Sequence, residues 1–139
     1  MEGSGMDATQ VEYRRSPPVT NAGLNALFAD AWPAPYVERD FRPVLSRSLG
    51  YVCAYLDGEI VGFVNVAWDG GVHAFLLDTT VRTDLQRRGI GTELVRRAVE
   101  LARAGGARWL HVDYEARLSE FYRKCGFVPS QAGLIRLTD

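Results

Sequence analysis

The hexapeptide Gln86-Arg87-Arg88-Gly89-Ile90-Gly91 joins an apolar stretch, 72–81, to an amphipathic one, 92–104. A strand that turns through two closely spaced glycines into a helix leaves backbone N–H groups unpaired at the positive end of the helix dipole, which suits an anion. Gly89 and Gly91 let a ligand approach the backbone with no Cβ in the way. Arg87 and Arg88 bring charge that suits phosphate oxygens, and the predicted guest is a pyrophosphate. The same glycines would equally ease a tight turn, and paired arginines equally suit a solvated face. Two better-known phosphate loops do not match. Leu94 stands where the dinucleotide fingerprint needs a third glycine, and Thr92 follows Gly91 without the lysine of a P-loop.

Read as Q-x-x-G-x-G after a strand and before a helix, this loop resembles the acyl-CoA loop of the GNAT N-acetyltransferase superfamily. A second block, Phe121-Tyr122-Arg123-Lys124-Cys125-Gly126-Phe127, is similar to that family's short helix ending in Tyr-x-x-x-Gly-Phe. The two blocks come in the family's order, with room for a helix and a strand between them. The resemblance implies an α/β fold with a mixed sheet: an antiparallel meander plus a splayed pair of parallel strands, with helices on both faces. It also implies acetyl-CoA as cosubstrate and an amine acceptor, either a small molecule or a protein amine. Carried over, Thr79, Thr80 and Val81 contact pantetheine and acetyl through their backbones. Gln86, Arg87, Arg88, Gly89, Ile90, Gly91 and Thr92 hold the pyrophosphate. Tyr122 falls at the family's tyrosine and is expected to protonate the leaving thiolate; by residue type alone it would read as a core tyrosine.

Acyl transfer from a thioester to an amine needs a neutral amine, a stabilised carbonyl oxygen and a proton for the thiolate. A lysine-like amine has a pKa roughly three units above neutrality, so holding it neutral costs about 4 kcal/mol. A base or a desolvating pocket must supply that. His111 and Asp113 lie two apart on a predicted strand, hence on one face, opposite Leu110 and Val112. Either is a candidate base, with Asp78 a rival and Glu115 a weaker one. A backbone N–H, that of Val81 above all, would polarise the carbonyl. Glu115 stands roughly where many relatives have an asparagine on the cofactor, so that contact is not carried over. Trp32, Tyr36, Trp68 and Tyr114 are available to line an acceptor pocket, or simply belong to the core.

The elements that must position these groups are legible from periodicity. A first strand is predicted over 11–14. A helix capped by Thr20 or Asn21 carries Leu24, Leu27, Phe28, Ala31 and Trp32, and Pro33 and Pro35 stop it. A weaker helix is expected over 40–49. Strands 51–56 and 60–68 flank the Asp57-Gly58 turn, and 72–81 follows Asp69-Gly70-Gly71. Helix 92–104 ends at Gly105-Gly106. A strand over 108–114 should run parallel to 72–81, because a helical crossover joins them. A short helix over 118–125 and a closing strand over 133–138 complete the expectation.

With 139 residues, 47% of them hydrophobic and 24% charged, the chain fits one globular domain. Met1-Glu2-Gly3-Ser4-Gly5 reads as an expression remnant before a native start at Met6, leaving 6–139 as a single domain. A net charge of −1 gives no electrostatic reason to expect nucleic acid or an anionic membrane. No apolar run is long enough to span a bilayer. Cys53 and Cys125 read as reduced core thiols of a cytoplasmic protein, and neither is placed like a nucleophile. His73 and His111 lack the local partners of a zinc site, so no metal is expected. The expected assembly is a monomer or a homodimer. Direct acetyl transfer in a ternary complex is the reading from sequence. A non-catalytic acyl-CoA-binding or regulatory module on the same fold is the alternative, and a structural domain whose loop is only a turn is a further one.

Overall fold

The computed structural model describes residues 10–139, so the proposed remnant at the N-terminus lies outside the described residues. Five strands form one mixed sheet in the spatial order of the chain: β1 (Glu12–Arg15), β2 (Gly50–Leu56), β3 (Glu59–Trp68), β4 (His73–Val81) and β5 (Trp109–His111). The first four are antiparallel and β5 runs parallel to β4. Helices α1 (Asn21–Ala31) and α2 (Arg42–Arg47) precede β2, α3 (Ile90–Ala104) is the crossover between β4 and β5, and α4 (Ser119–Lys124) follows.

Period-two alternation in the strands divides the core between the two faces of the sheet. On one face, Cys53 and Phe63 pack with Leu24, Leu27 and Phe28 of α1 and with Phe41. On the other, Val52, Ala54, Val64, Val66, Ala74 and Leu76 meet Leu94, Val95, Ala98 and Leu101 of α3, together with Tyr122 of α4. The close seating of α3 has a specific cause at Gly62, where an added Cβ would lie 3.0 Å from the Leu94 side chain and 3.1 Å from Ala54 Cβ. Thr20 caps α1, its hydroxyl accepting the Gly23 N–H at 3.0 Å.

On α3, Glu93 is flanked by Arg96 and Arg97, each 2.7 Å away. The Arg96 hydrogen bond, opposed by partial burial and supported by Arg97, lowers the carboxyl to about 2. A depressed folded-state pKa gives stability that is full above the ordinary value of 4.5 and is lost as pH falls toward 2. Both arginines are substantially exposed, so solvent screening holds this contribution to about 1 kcal/mol or less. Glu93→Gln should therefore lower the melting temperature slightly at pH 7. The gap to the parent should close as the pH of a thermal scan is brought down toward that of the carboxyl.

Three expectations change. The strand predicted over 108–114 is confined to Trp109–His111, because its ladder with β4 ends at the Phe75–His111 pair. The weak helix over 40–49 shortens to Arg42–Arg47, with Pro43 in its first turn. The closing strand over 133–138 is absent: residues 128–139 lie in no helix or strand, and Leu134, Ile135 and Leu137 are 82–91% exposed. Apolar residues there announce a strand tendency, but a strand exists only with a ladder partner, and residues 128–139 pair with no strand of the sheet. Among the described residues, no helix is long and apolar enough to cross a membrane.

Candidate active site

The site is made by a defect in the sheet. Phe63 pairs with Thr80 but Asn65 pairs with Leu77, so Asp78 and Thr79 together oppose Val64 alone. Asp78 adopts φ +59°, the left-handed region that few non-glycine residues occupy. A bulge of this kind bends its strand and strengthens the local twist. Beyond Phe75 and His111, β4 and β5 share no further ladder, and a gap opens between them. The bulge is pinned by Thr80, whose hydroxyl donates to the Asp78 carbonyl and accepts the Trp32 indole N–H, both at 2.9 Å.

Backbone direction in the gap follows from one bond. The Arg82 N–H donates to Val61 O at 2.8 Å, with Gly62 opposite Val81 in register. Alternation then turns the N–H of Thr80 toward β3 and that of Val81 away from it, into the gap. The Gln86 side chain reaches back to donate to the Val81 carbonyl at 3.0 Å, tying the glycine loop to the end of β4. Asp30 at the end of α1 holds the same region from outside, accepting from the Thr83 N–H at 2.9 Å.

The loop itself bends through Arg87 at φ +64° and Gly89 at φ +87°, and Gly89 is the N-cap of α3 with no side-chain capping bond. The first intrahelical bond runs from the Glu93 N–H to Gly89 O, so helix geometry leaves the N–H groups of Ile90, Gly91 and Thr92 without intrahelical partners. Arg87 and Arg88 lie exposed on the loop. A Cβ at Gly91 would only touch the Phe121 ring, at 3.5 Å, whereas any side chain at Gly89 must hold a left-handed backbone.

Tyr122 lies on the α3–α4 side of the gap. It is 7% exposed, stacked on Tyr114 at 4.8 Å and met edge-on by Phe121 and Phe127. Burial pushes its phenol above the ordinary value, the nearby Thr79 hydroxyl acts against this, and Asp113 adds a smaller upward push. The phenol is therefore protonated at neutral pH and able to donate. No well-formed hydrogen bond joins it to Thr79, whose Oγ1 is a buried polar atom without a partner. Such an atom is costly unless a ligand answers it.

His111 and Asp113 are exposed, while Leu110, Val112 and Tyr114 pack against the α3 core. Alternation thus places both candidate bases on the face opposite Tyr122, which the sheet brings to the same gap but not to the same side. His111 stacks on Phe75 at 4.7 Å, and its Nε2 lies 2.8 Å from His73 Nδ1. Asp78, the rival base, faces Arg39 at 3.5 Å. Glu115 pairs with Arg117 at 3.2 Å. Of the aromatic candidates, Trp32 and Tyr36 border the bulge, Tyr114 backs Tyr122, and Trp68 sits at the far end of β3.

Two residues here were not expected from sequence. Arg39 stacks its guanidinium over Phe41 at 4.7 Å and meets Asp78. Asn25, 6% exposed, fixes the loop that carries Arg39: it donates to Arg39 O, and its Oδ1 accepts from the Arg39 N–H and the Tyr36 hydroxyl. The available signal was an asparagine inside the apolar run of α1, between Leu24 and Leu27. Burial pushes the Cys53 thiol up to about 12 and raises that of Cys125, so neither presents a ready thiolate. Among the described residues, no three metal-ligating side chains converge.

A bulged sheet thus stands beside a glycine loop and a helix start with no side-chain cap. The acetyltransferase (GNAT) family model matches residues 19–127, and the chain belongs to that family. A probable glucosamine 6-phosphate N-acetyltransferase of Oryza sativa subsp. japonica is 37% identical over 83 residues, covering 60% of this chain and 46% of the relative. A mycothiol acetyltransferase of Nocardia farcinica is 35% identical over 66 residues, covering 48% of this chain and 22% of the relative. The chain thus spans less than half the length of these curated relatives. A candidate acetyltransferase from Deinococcus radiodurans R1 superposes with a TM-score of 0.77 at 26% identity, covering 99% of this chain and 94% of that one.

The family uses acetyl-CoA, and the residues present fit it. The orphaned Thr79 hydroxyl, the Val81 N–H turned away from β3 and the amides at the start of α3 that lack intrahelical partners are donors that suit it. Gly89→Val tests the loop before α3. A left-handed backbone costs an L-residue roughly 1–2 kcal/mol, so relaxation of the loop should weaken acetyl-CoA binding by about 5- to 30-fold. Titration calorimetry checks this, and unchanged affinity would move the diphosphate elsewhere.

Proposed function

We propose that the protein transfers the acetyl group of acetyl-CoA to a primary amine by direct attack in a ternary complex. The observation that carries this reading is the bulge-made gap with a proton donor on one side and candidate bases on the other. Acetyl-CoA supplies the activated thioester. The α3 amides and the glycine loop bind its diphosphate, and Thr79, Thr80 and Val81 border its pantetheine arm. The Val81 N–H polarises the acetyl carbonyl, and Tyr122 gives its proton to the departing sulfur.

The amine comes from the α1 side. There His111 takes its proton, with the His73 ring 2.8 Å away to share the charge. Asp113 and Asp78 are the alternatives on the same side. Asp78, Trp32 and Tyr36 border the approach, and a carboxylate among aromatic rings suits an ammonium group before it is deprotonated. Two raised thiols, one buried and one half-buried, support direct attack over a covalent acetyl-enzyme.

The test is thiol release from acetyl-CoA against a panel of amines. The names of the relatives put glucosamine 6-phosphate and the mycothiol precursor in it, beside aminoglycosides and peptide amines. Turnover with one of them is expected; acetyl-CoA binding with none across a broad panel would instead favour a binding module. With an acceptor in hand, His111→Asn should lower kcat/KM by roughly 10²- to 10⁴-fold, the usual worth of a positioned base. Unchanged turnover would hand the role to Asp113 or Asp78.

A further inference from the structure

The loop between α1 and α2 brings a cation to the bulge. Asn21 and Asn25, one turn apart on α1, hold that loop down. The Asn21 carboxamide accepts the Phe41 N–H and donates to Asp40, and Asn25 binds both the N–H and the carbonyl of Arg39. The Arg39 guanidinium lies 4.7 Å over the Phe41 ring and 5.5 Å over that of Phe28, which fixes its plane. Asp78 stands 3.5 Å from it, its backbone set by the bulge and by the Thr80 hydroxyl. Both side chains are half-buried, and among the described residues neither makes a hydrogen bond. Guanidinium N–H groups and carboxylate lone pairs thus remain open on two rigid supports.

We propose that the acceptor is a free α-amino acid with an apolar side chain, its ammonium seated on Asp78 and its carboxylate on the Arg39 guanidinium. A simple amine would bring its ammonium beside a guanidinium, and a simple carboxylate would meet Asp78. An α-amino acid carries both charges on one carbon, so each finds its opposite at once. The four charges then alternate around a square, and the contact between Arg39 and Asp78 need not break. The planar fork of an arginine suits a carboxylate. A peptide N-terminus offers an amide in place of that carboxylate, and an amino sugar phosphate holds its two charges a ring apart; neither completes the square. The Trp32 indole, bonded to Thr80 yet 40% exposed, and the ring of Tyr36 give an apolar side chain its surroundings. Transfer would form the C–N bond at the α-nitrogen as the thioester C–S bond breaks, giving the N-acetyl amino acid, the free thiol and one proton to solvent. That the amino acid is acetylated rests on the proposed function; that it binds here does not.

Titration calorimetry on the CoA-saturated protein reads the binding without turnover. The probes are L-leucine, L-methionine and L-phenylalanine, each set against its amide and its decarboxylated amine. At least one of the acids should bind about 10- to 100-fold more tightly than both of its partners, the worth of a hydrogen-bonded charge pair. Arg39→Gln should erase that preference and Arg39→Lys restore part of it, in proteins with an unchanged far-ultraviolet spectrum. The preference is a ratio, so a partly unfolded variant still reports it. No binding of these acids at millimolar concentration, equal binding of acid and amide, or a preference that survives Arg39→Gln would each overturn the proposal. Thiol release from acetyl-CoA is scored separately. Selective binding without release would sink acetyl transfer and uphold the site, whereas release as fast with the amides as with the acids would do the reverse.

Discussion

Tyr122→Phe is expected to lower kcat for acetyl transfer by roughly 10²- to 10⁴-fold, the usual worth of a positioned acid. The affinity for acetyl-CoA should stay within about twofold, because an interaction made only in the transition state leaves ground-state binding alone. The ring is what packs: it stacks on Tyr114 and meets Phe121 and Phe127, and phenylalanine keeps all three contacts. Its hydroxyl neighbours that of Thr79, whose Oγ1 has no hydrogen-bond partner, so deleting the phenol oxygen should cost little stability. Pre-steady-state thiol release with a calorimetric Kd separates the two effects. Equal losses in kcat and affinity would reduce Tyr122 to a packing residue. Because burial raises the phenol above its ordinary value of 10.0, activity that needs its proton should persist through neutral and mildly alkaline pH.

Val81→Pro is expected to be nearly as damaging, for a different reason. Loss of one oxyanion donor typically costs about 10²- to 10³-fold in kcat. Proline deletes the backbone N–H while keeping the carbonyl that Gln86 binds. In most strand interiors this would break the ladder, but alternation from the Arg82–Val61 bond sends the Val81 N–H into the gap. The melting temperature should therefore fall only modestly while turnover collapses. A variant that melts far below the parent would mean that this amide is bonded within the sheet. One that folds and turns over normally would remove Val81 from the chemistry.

How much of this was legible in the sequence differs by feature. Hydrophobic period identified α1, α3 and the three central strands, and Thr20 and Gly105 marked helix ends that the structure keeps. The crossover rule gave the parallel β4–β5 pair. The bulge was not legible. It turns on a left-handed Asp78, a residue type only modestly favoured there, and on a two-against-one pairing that no single strand encodes. The extent of β5 was hidden for the same reason, since divergence belongs to a pair of strands. Tyr122 and the loop 86–91 were nameable because two sequence blocks carry them, and Thr79, Val81 and Thr92 because the family resemblance implies them. Arg39 and Asn25 were not, because their roles depend on a loop folding back onto α1. The apolar pattern at 133–138 was read as a closing strand, which the structure does not form, because pattern alone supplies no ladder partner.

The three-rung ladder between β4 and β5 has a mechanical corollary. The crossover helix, β5 and α4 are joined to the meander through few sheet bonds on that side, and the split between them is a seam. A molecule lying along the seam and bonding to the bare strand would act as a splint across the two halves. Its grip would then register as heat resistance, with no turnover needed. A melting-point screen of thioester carriers, followed by amines added to the best of them, would rank both partners by the degrees they add.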